Sequence, residues 1–168
     1  DSVYSRITVE DIAISLGFSR THISSVFKEN CGKTITEYLT DLKMSEAKYL
    51  IRKELYTVSQ ISDFLCYDNP HYFCKVFKKE IGMSPLEYMT SLRMKNAERL
   101  LSTIWNSGHA ISEIAHMCGY ENALYFSRVF RKYFGCSPTK YLKSQDKVHL
   151  TDPGRRELDL EQKTDEIM

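Results

Sequence analysis

ISEIAHMCGYENALYFSRVFRKYFGCSPTKYL, residues 111–142, is the stretch from which the architecture follows. Ile111, Ile114 and Ala115 share one face of a short predicted helix, with Met117 near its end. Gly119 stands where that helix must stop, because glycine takes the left-handed conformation at little steric cost. Tyr120 then packs inward, and a second helix is predicted from about Asn122 to Phe134. Phe126, Val129, Phe130 and Phe134 recur at the spacing of a buried helical stripe. Tyr125, Ser127, Arg128, Arg131 and Lys132 fall on the other face. Gly135 closes the helix, and Ser137-Pro138 restarts the chain with an N-cap and a proline at the first helical position. Two helices around a glycine turn, the second carrying donors outward, make a helix-turn-helix.

The same pattern occurs twice upstream. Ile61 through Tyr67 leads to YFCKVFKKEIGMSPLEYM, residues 72–89, and Ile12 through Phe18 leads to Ile23, Val26, Phe27 and then Gly32. The leading isoleucines Ile12, Ile61 and Ile114 lie 49 and 53 residues apart. A period of this size is the signature of a repeated supersecondary unit. The expected fold is all-α, with three tandem helix-turn-helix units joined by two long linker helices. The corresponding divisions are residues 1–53 (first unit plus linker helix), 54–103 (second unit plus linker helix), 104–143 (third unit) and 144–168 (a polar tail, disordered or loosely helical).

Local signals place the remaining helix ends. Thr8 and Asp11 form a weak capping box, Ser19 caps a helix over residues 20–30, and Thr34 and Glu37 open a helix reaching about Lys53. The inward face of that helix is predicted as Tyr38, Leu39, Leu42, Ala47, Leu50 and Ile51. Thr57 and Gln60 cap the next helix, Asp68 is expected to cap the one after it, and Pro70 falls in its first turn. Ser84-Pro85 starts a second long helix through Tyr88, Leu92, Met94, Ala97, Leu100 and Leu101, which ends near Asn106-Ser107-Gly108. Trp105 is expected to pack against the third unit. Phe27, Phe77 and Phe130 are expected in the core.

Composition narrows the function. The 168 residues are 42% apolar and 27% charged, as in an ordinary globular chain. No apolar run approaches the roughly 18 residues of a membrane span, and no secretory leader is visible. The chain starts at Asp1 without Met and reads as a fragment or processed product. Cys31, Cys66, Cys74, Cys118 and Cys136 are scattered without a CxxC pair, as expected for reduced, buried thiols in a cytosolic protein. No metal site or cofactor is expected. Net charge is only +1, but the segment 151–168 holds six acidic and three basic residues. The rest carries 20 basic and 16 acidic residues, so affinity for a polyanion would rest on local patches rather than on a strong overall field.

YFSRVFRKYFGCSPTKYL and YFCKVFKKEIGMSPLEYM resemble the C-terminal signature of AraC/XylS-type transcription regulators. The segments LKMSEAKYLI (42–51) and LRMKNAERLL (92–101) are similar to the connecting helix of that family. The resemblance covers residues 7–143. It implies two helix-turn-helix units, joined by a helix, that insert recognition helices into successive major-groove segments of double-stranded DNA. GFSRTHISSVFK (17–28) looks like the first module of the family, whereas the second and third units both resemble its second module. A third module departs from the family pattern and leaves open which pair reads DNA.

By resemblance, Thr21, Ser24 and Ser25, then His71, Tyr72 and Lys75, then Leu124, Tyr125 and Arg128 occupy base-reading positions. Arg20 and Ser127 join them on the outward faces. Arg128 is the strongest of these, since arginine pairs bidentately with a guanine edge at roughly 1–3 kcal/mol of discrimination. Lys28, Lys78, Lys79, Arg131 and Lys132 are assigned to phosphates. The leading expectation is a sequence-specific DNA-binding transcription regulator. Regulators that it resembles often contact RNA polymerase, and dimerise through a separate region that would here precede Asp1. The alternative is an interaction module in which one or more units dock a protein, either a second copy or RNA polymerase. A basic stripe over all three recognition helices favours DNA throughout; an apolar exposed face on one favours a partner. An enzyme is not expected, because no nucleophile motif or glycine-rich phosphate loop is present.

Overall fold

The computed structural model describes the backbone of residues 8–104 and 110–151, and the side chains of 8–103 and 110–144. Among the described residues the secondary structure is entirely helical: α1 (Val9–Leu16), α2 (Arg20–Cys31), α3 (Ile35–Lys53), α4 (Val58–Phe64), α5 (Pro70–Ile81), α6 (Pro85–Ile104), α7 (Ile111–Met117), α8 (Ala123–Phe134) and α9 (Pro138–Thr151). The chain separates into two compact bodies, one ending at Thr90 and the other starting at Ser91, with the division inside α6.

Short-range bonds start most of these helices. The Glu37 carboxylate accepts the Thr34 N–H at 2.8 Å, while Thr34 Oγ1 accepts the Glu37 N–H at 3.2 Å. Thr8 with Asp11, Thr57 with Gln60 and Ser84 with Glu87 repeat this reciprocal arrangement. Ala110 has no side-chain oxygen, so α7 keeps only half of it, the Ala110 N–H donating to Glu113 at 3.0 Å. Each cap satisfies backbone donors that a helix cannot satisfy itself, worth about 1 kcal/mol apiece. The cap of α5 is Asn69, not Asp68 as expected; its Oδ1 accepts the Tyr72 N–H at 2.8 Å. Asn69 wins because Pro70 occupies the first helical position, and the cap is by definition the residue before it.

In the first body, α3 buries Ile35, Met44, Ala47, Leu50 and Ile51 against a core that includes Ile61 and Leu65 of α4 and its cap, with Phe73 and Phe77 of α5. In the second, Met94, Ala97, Leu100 and Leu101 of α6 pack with Ile114, Ala115, Cys118, Tyr120, Phe126, Phe130 and Leu142. A ring contact recurs in all three units. Phe27 meets Tyr38 edge-on at 5.5 Å, Phe77 meets Tyr88 at 5.8 Å, and Phe130 meets Tyr141 at 5.6 Å. Each ties a recognition helix to the helix that follows it, in the edge-to-face geometry that aromatic quadrupoles favour.

The first unit is the least buried. Phe27, expected in the core, is half-buried, and Tyr38 and Leu42 are exposed despite their predicted inward face. α2 buries no residue fully. The second and third units each receive a preceding linker helix with a buried Met-x-x-Ala-x-x-Leu face, and no such helix precedes α1 among the described residues. Leu16 is accordingly 57% exposed, although its counterparts Leu65 and Cys118 are closed off. Met117 ends α7, as its place in the sequence implied, and is exposed there. Of the cysteines only Cys118 is buried; Cys31 is exposed and Cys66, Cys74 and Cys136 are half-buried, all five as thiols. α9 continues to Thr151, so residues 144–151, read from sequence as the start of a polar tail, are helical. Trp105, the Asn106-Ser107-Gly108 breaker and residues 152–168 lie outside the described residues.

Candidate nucleic-acid interface

Each recognition helix begins at a polar cap that fixes the orientation of its first turn. Ser19 accepts the His22 N–H at 3.2 Å, and Asn69 accepts the Tyr72 N–H. Asn122 Oδ1 accepts the N–H groups of both Leu124 and Tyr125 at 2.9 Å. The Asn69 and Asn122 side chains thus act as caps. The caps of the second and third units are thus stronger fixtures than the single 3.2 Å bond of the first.

Behind the caps, Phe73 and Phe77 in α5, and Phe126 and Phe130 in α8, are completely buried. A helix pinned along one stripe can only present the opposite one to solvent. That stripe carries Thr21, Ser24 and Ser25 in α2, His71, Tyr72 and Lys75 in α5, and Leu124, Tyr125 and Arg128 in α8, all exposed. Arg20 is exposed as well. Ser127 departs from this set: it is half-buried and its hydroxyl donates to the Ala123 carbonyl at 2.8 Å. Its position matches Cys74, whose thiol is pushed up by burial.

Among the described residues, no hydrogen bond or ion pair engages the head groups of Lys75 or Arg128. Both sit one turn beyond the capped N-terminus and can reach a surface laid against it. Lys28, Lys78, Lys79, Arg131 and Lys132 are exposed further along the same helices. Lys79 pairs with Glu80 at 3.1 Å, an exposed contact worth little in water. Leu124 is 74% and Tyr125 59% exposed, an unusual amount of apolar surface for the first turn of a short helix. In each body a capped helix N-terminus with an exposed cation one turn on, Lys75 in α5 or Arg128 in α8, is able to hydrogen-bond to phosphates and to base edges.

Aromatic residues in the turns support this surface. Tyr67 lies 6.0 Å from Tyr72 and 5.4 Å from Phe73, and Tyr120 lies 6.1 Å from Tyr125 and 5.5 Å from Phe126. Burial first, then the charges of Tyr72 and Glu80, push Tyr67 up to about 12, so its phenol is neutral. The cations that stand over these rings, Lys43 in α3 and Arg93 in α6, do not stand out in the sequence. Their signal there is positional: both precede the buried methionine of the matched segments 42–51 and 92–101. Among the described residues no cluster of His, Cys, Asp or Glu has the geometry of a metal site.

A helix-turn-helix domain family matches the chain twice, over residues 12–90 and 69–144. The matches overlap in α5 and the start of α6, so the second unit belongs to both. The Msm operon regulatory protein of Streptococcus mutans is 39% identical over 139 residues, covering 83% of this chain and 31% of its own. The lactose operon transcription activator of Staphylococcus xylosus is 39% identical over 69 residues, covering 41% of this chain and 25% of its own. The chain thus spans about a quarter to a third of the length of these two relatives. The C-terminal domain of AraT, a response regulator from Geobacillus stearothermophilus, is similar at 33% identity with a TM-score of 0.53, over 61% of this chain and 84% of that one. The DNA-binding domain of AdpA, a global transcriptional factor solved with a target DNA, shares the fold with a TM-score of 0.54 at 23% identity, over 66% of this chain and 96% of that one.

Proposed function

The chain belongs to the AraC/XylS-type helix-turn-helix family, and on that footing we propose that it is the sequence-reading part of a transcription regulator. It inserts recognition helices into successive major-groove segments of double-stranded DNA. One observation carries this reading: three helices with capped N-termini expose side chains at the same register, Thr21/Ser25, His71/Lys75 and Leu124/Arg128, over a stripe of buried or half-buried phenylalanines. Arg128 pairs with a guanine edge, Lys75 reads a base at the matching place in α5, and Leu124 and Tyr125 offer apolar surface to thymine methyls. Arg20, Thr21, Ser24, Ser25, His71 and Tyr72 complete the base-facing set, with Ser127 behind them. Lys28, Lys78, Lys79, Arg131 and Lys132 hold the backbone phosphates. Contacts to RNA polymerase and a homodimer belong to the same reading.

A second reading has its own support in the first unit. Ile14, Leu16 and Phe18 are 71%, 57% and 55% exposed, apolar side chains on and beside α1 that suit a protein partner better than a phosphate backbone. Two units would then bind DNA while the first docks a protein.

A hydroxyl-radical footprint separates the two, using a duplex selected from a random pool by this chain. Protection over three successive helical turns, at ~10–10.5 base pairs each, means that all three units read DNA. Protection over two turns supports the docking role for the remaining unit. Failure to select any sequence, at low as well as moderate salt, refutes the DNA reading.

A further inference from the structure

Lys43 and Arg93 occupy the same place in two copies of one design. Each lies on a linker helix immediately before a buried methionine, Met44 or Met94. Lys43 Nζ stands 4.9 Å from the centroid of the Tyr67 ring, and Arg93 Cζ stands 5.4 Å from that of Tyr120. The two rings occupy the turns of the second and third units, and each leans on a recognition-helix tyrosine, Tyr72 or Tyr125. A cation, a turn aromatic and an exposed tyrosine therefore stand in series in both bodies. Chance placement of a surface lysine would not reproduce that series 50 residues later.

We infer that Lys43 and Arg93 are positioning residues that hold the N-terminal turn of the following recognition helix in the orientation needed to read bases. The inference rests on the DNA reading above for its functional consequence, and on the ring geometry alone for its structural part. Arg93 makes the stronger connection. Its Nη1 donates to the Gly119 carbonyl at 3.1 Å, so one guanidinium grips both the backbone of the turn and the ring that follows it. A planar fork can do both at once, whereas a lysine ammonium cannot supply that fixed geometry.

The turn residues agree with this division. A Cβ at Gly119 would stand 3.1 Å from Arg93 Cζ and Nη2, and φ there is +75°, so glycine both suits the backbone and leaves the guanidinium its place against the turn. At the matching position of the second unit, φ is +56° but the residue is Cys66, beneath a linker helix that offers lysine instead. Arginine with glycine and lysine with cysteine are thus two solutions to the same packing problem.

The test uses Arg93→Met, which keeps the stem and removes the charge, and Arg93→Lys, which keeps the charge and loses the fork. The first readout needs no DNA: amide hydrogen exchange at Leu124 and Tyr125, whose N–H groups bond to Asn122. Arg93→Met is expected to speed exchange there by about twofold to thirtyfold, the range of a cation–ring contact, with Arg93→Lys intermediate. The Tyr72 amide should keep its rate. Unchanged exchange at Leu124 and Tyr125, or equal acceleration at all three amides, overturns the inference. The second readout is affinity for a selected duplex and for versions with single base changes. Loss of discrimination confined to the α8 subsite supports the functional consequence, and Lys43→Met should mirror it in the α5 subsite. Equal loss at both subsites for one substitution overturns it. If the unaltered chain selects no duplex, the DNA reading falls, and the exchange measurement still decides whether Arg93 positions the helix.

Discussion

Replacing Ser62 by alanine should stabilise the first body, and the size of the gain can be worked from the structure. Ser62 is fully buried in α4, and its hydroxyl oxygen has no hydrogen-bond partner. The equivalent residues of the other two units are Ala13 and Ala115, 2% and 0% exposed, so the surrounding packing already suits a methyl group. An unpaired buried hydroxyl costs about 1–3 kcal/mol. Serine is also a weaker helix former than alanine by about 0.5 kcal/mol. Against these gains, removing one oxygen leaves a void of about 15–20 Å³, which at about 24 cal/mol per Å³ costs close to 0.5 kcal/mol. The net expectation is about 1–3 kcal/mol in favour of Ser62→Ala. Urea unfolding followed by helical circular dichroism reads this directly: with a slope of about 1–2 kcal/mol per M, the midpoint of the first body's transition should rise by about 1 M at unchanged slope. The reciprocal change, Ala115→Ser, should lower the midpoint of the second body by a similar amount. A neutral or destabilising Ser62→Ala would refute the reasoning, because it would mean that the hydroxyl is bonded in solution.

Three further expectations concern the recognition helices and their caps. Replacing single thymines by deoxyuridine in the α8 subsite removes only a methyl group and should weaken binding about fourfold at the position read by Leu124, roughly the worth of one buried methylene; with Leu124→Ala in place the same replacement should have no effect, and an unchanged response would remove Leu124 from the base-reading set. Arg128→Ala should relax preference at one base position, whereas Lys132→Ala should weaken all sequences alike and reduce the salt slope of binding by about one; equal losses on specific and random DNA for Arg128→Ala would end its assignment. The third expectation is a pH effect at the cap of α3. The Glu37 carboxyl is held below its ordinary value of 4.5, first by the Thr34 N–H and then by the Thr34 hydroxyl. A folded value below the unfolded one means that the cap contributes fully above pH 4.5 and is lost as the pH falls through the lower folded value. Glu37→Gln, which copies the working box of Thr57 and Gln60, should flatten the part of the stability profile that falls below pH 4.5; an unchanged profile would show that Glu37 contributes nothing to it.

What could be read from the residues alone was everything that depends on neighbours within a few positions. Thr34 and Glu37, or Ser84 and Glu87, meet because three residues of helix bring a side chain back to its own first turn. The turns around Gly17 and Gly119 and the stripe from Phe126 to Phe130 are visible for the same reason, and the period joining Ile12, Ile61 and Ile114 extends them to three units. The outward faces followed as the complement of those stripes, which is why Lys75 and Arg128 stand exposed where they were placed. The cap of α5 was missed at Asp68 because two adjacent polar residues offered equivalent local signals.

Tertiary structure decided how much of each stripe has something to pack on. Phe27 and Phe77 carry the same pattern, yet the second is closed off by α3 while the first is half open, and Leu16 is exposed where Leu65 is sealed. Burial depends on surface supplied by a distant segment, and periodicity records only that a residue could be buried. The same holds for Arg93 and Tyr120, 27 residues apart in sequence but 5.4 Å apart in space, and for Ser62, whose hydroxyl looks ordinary in a polar stretch until the packed helices take its water away.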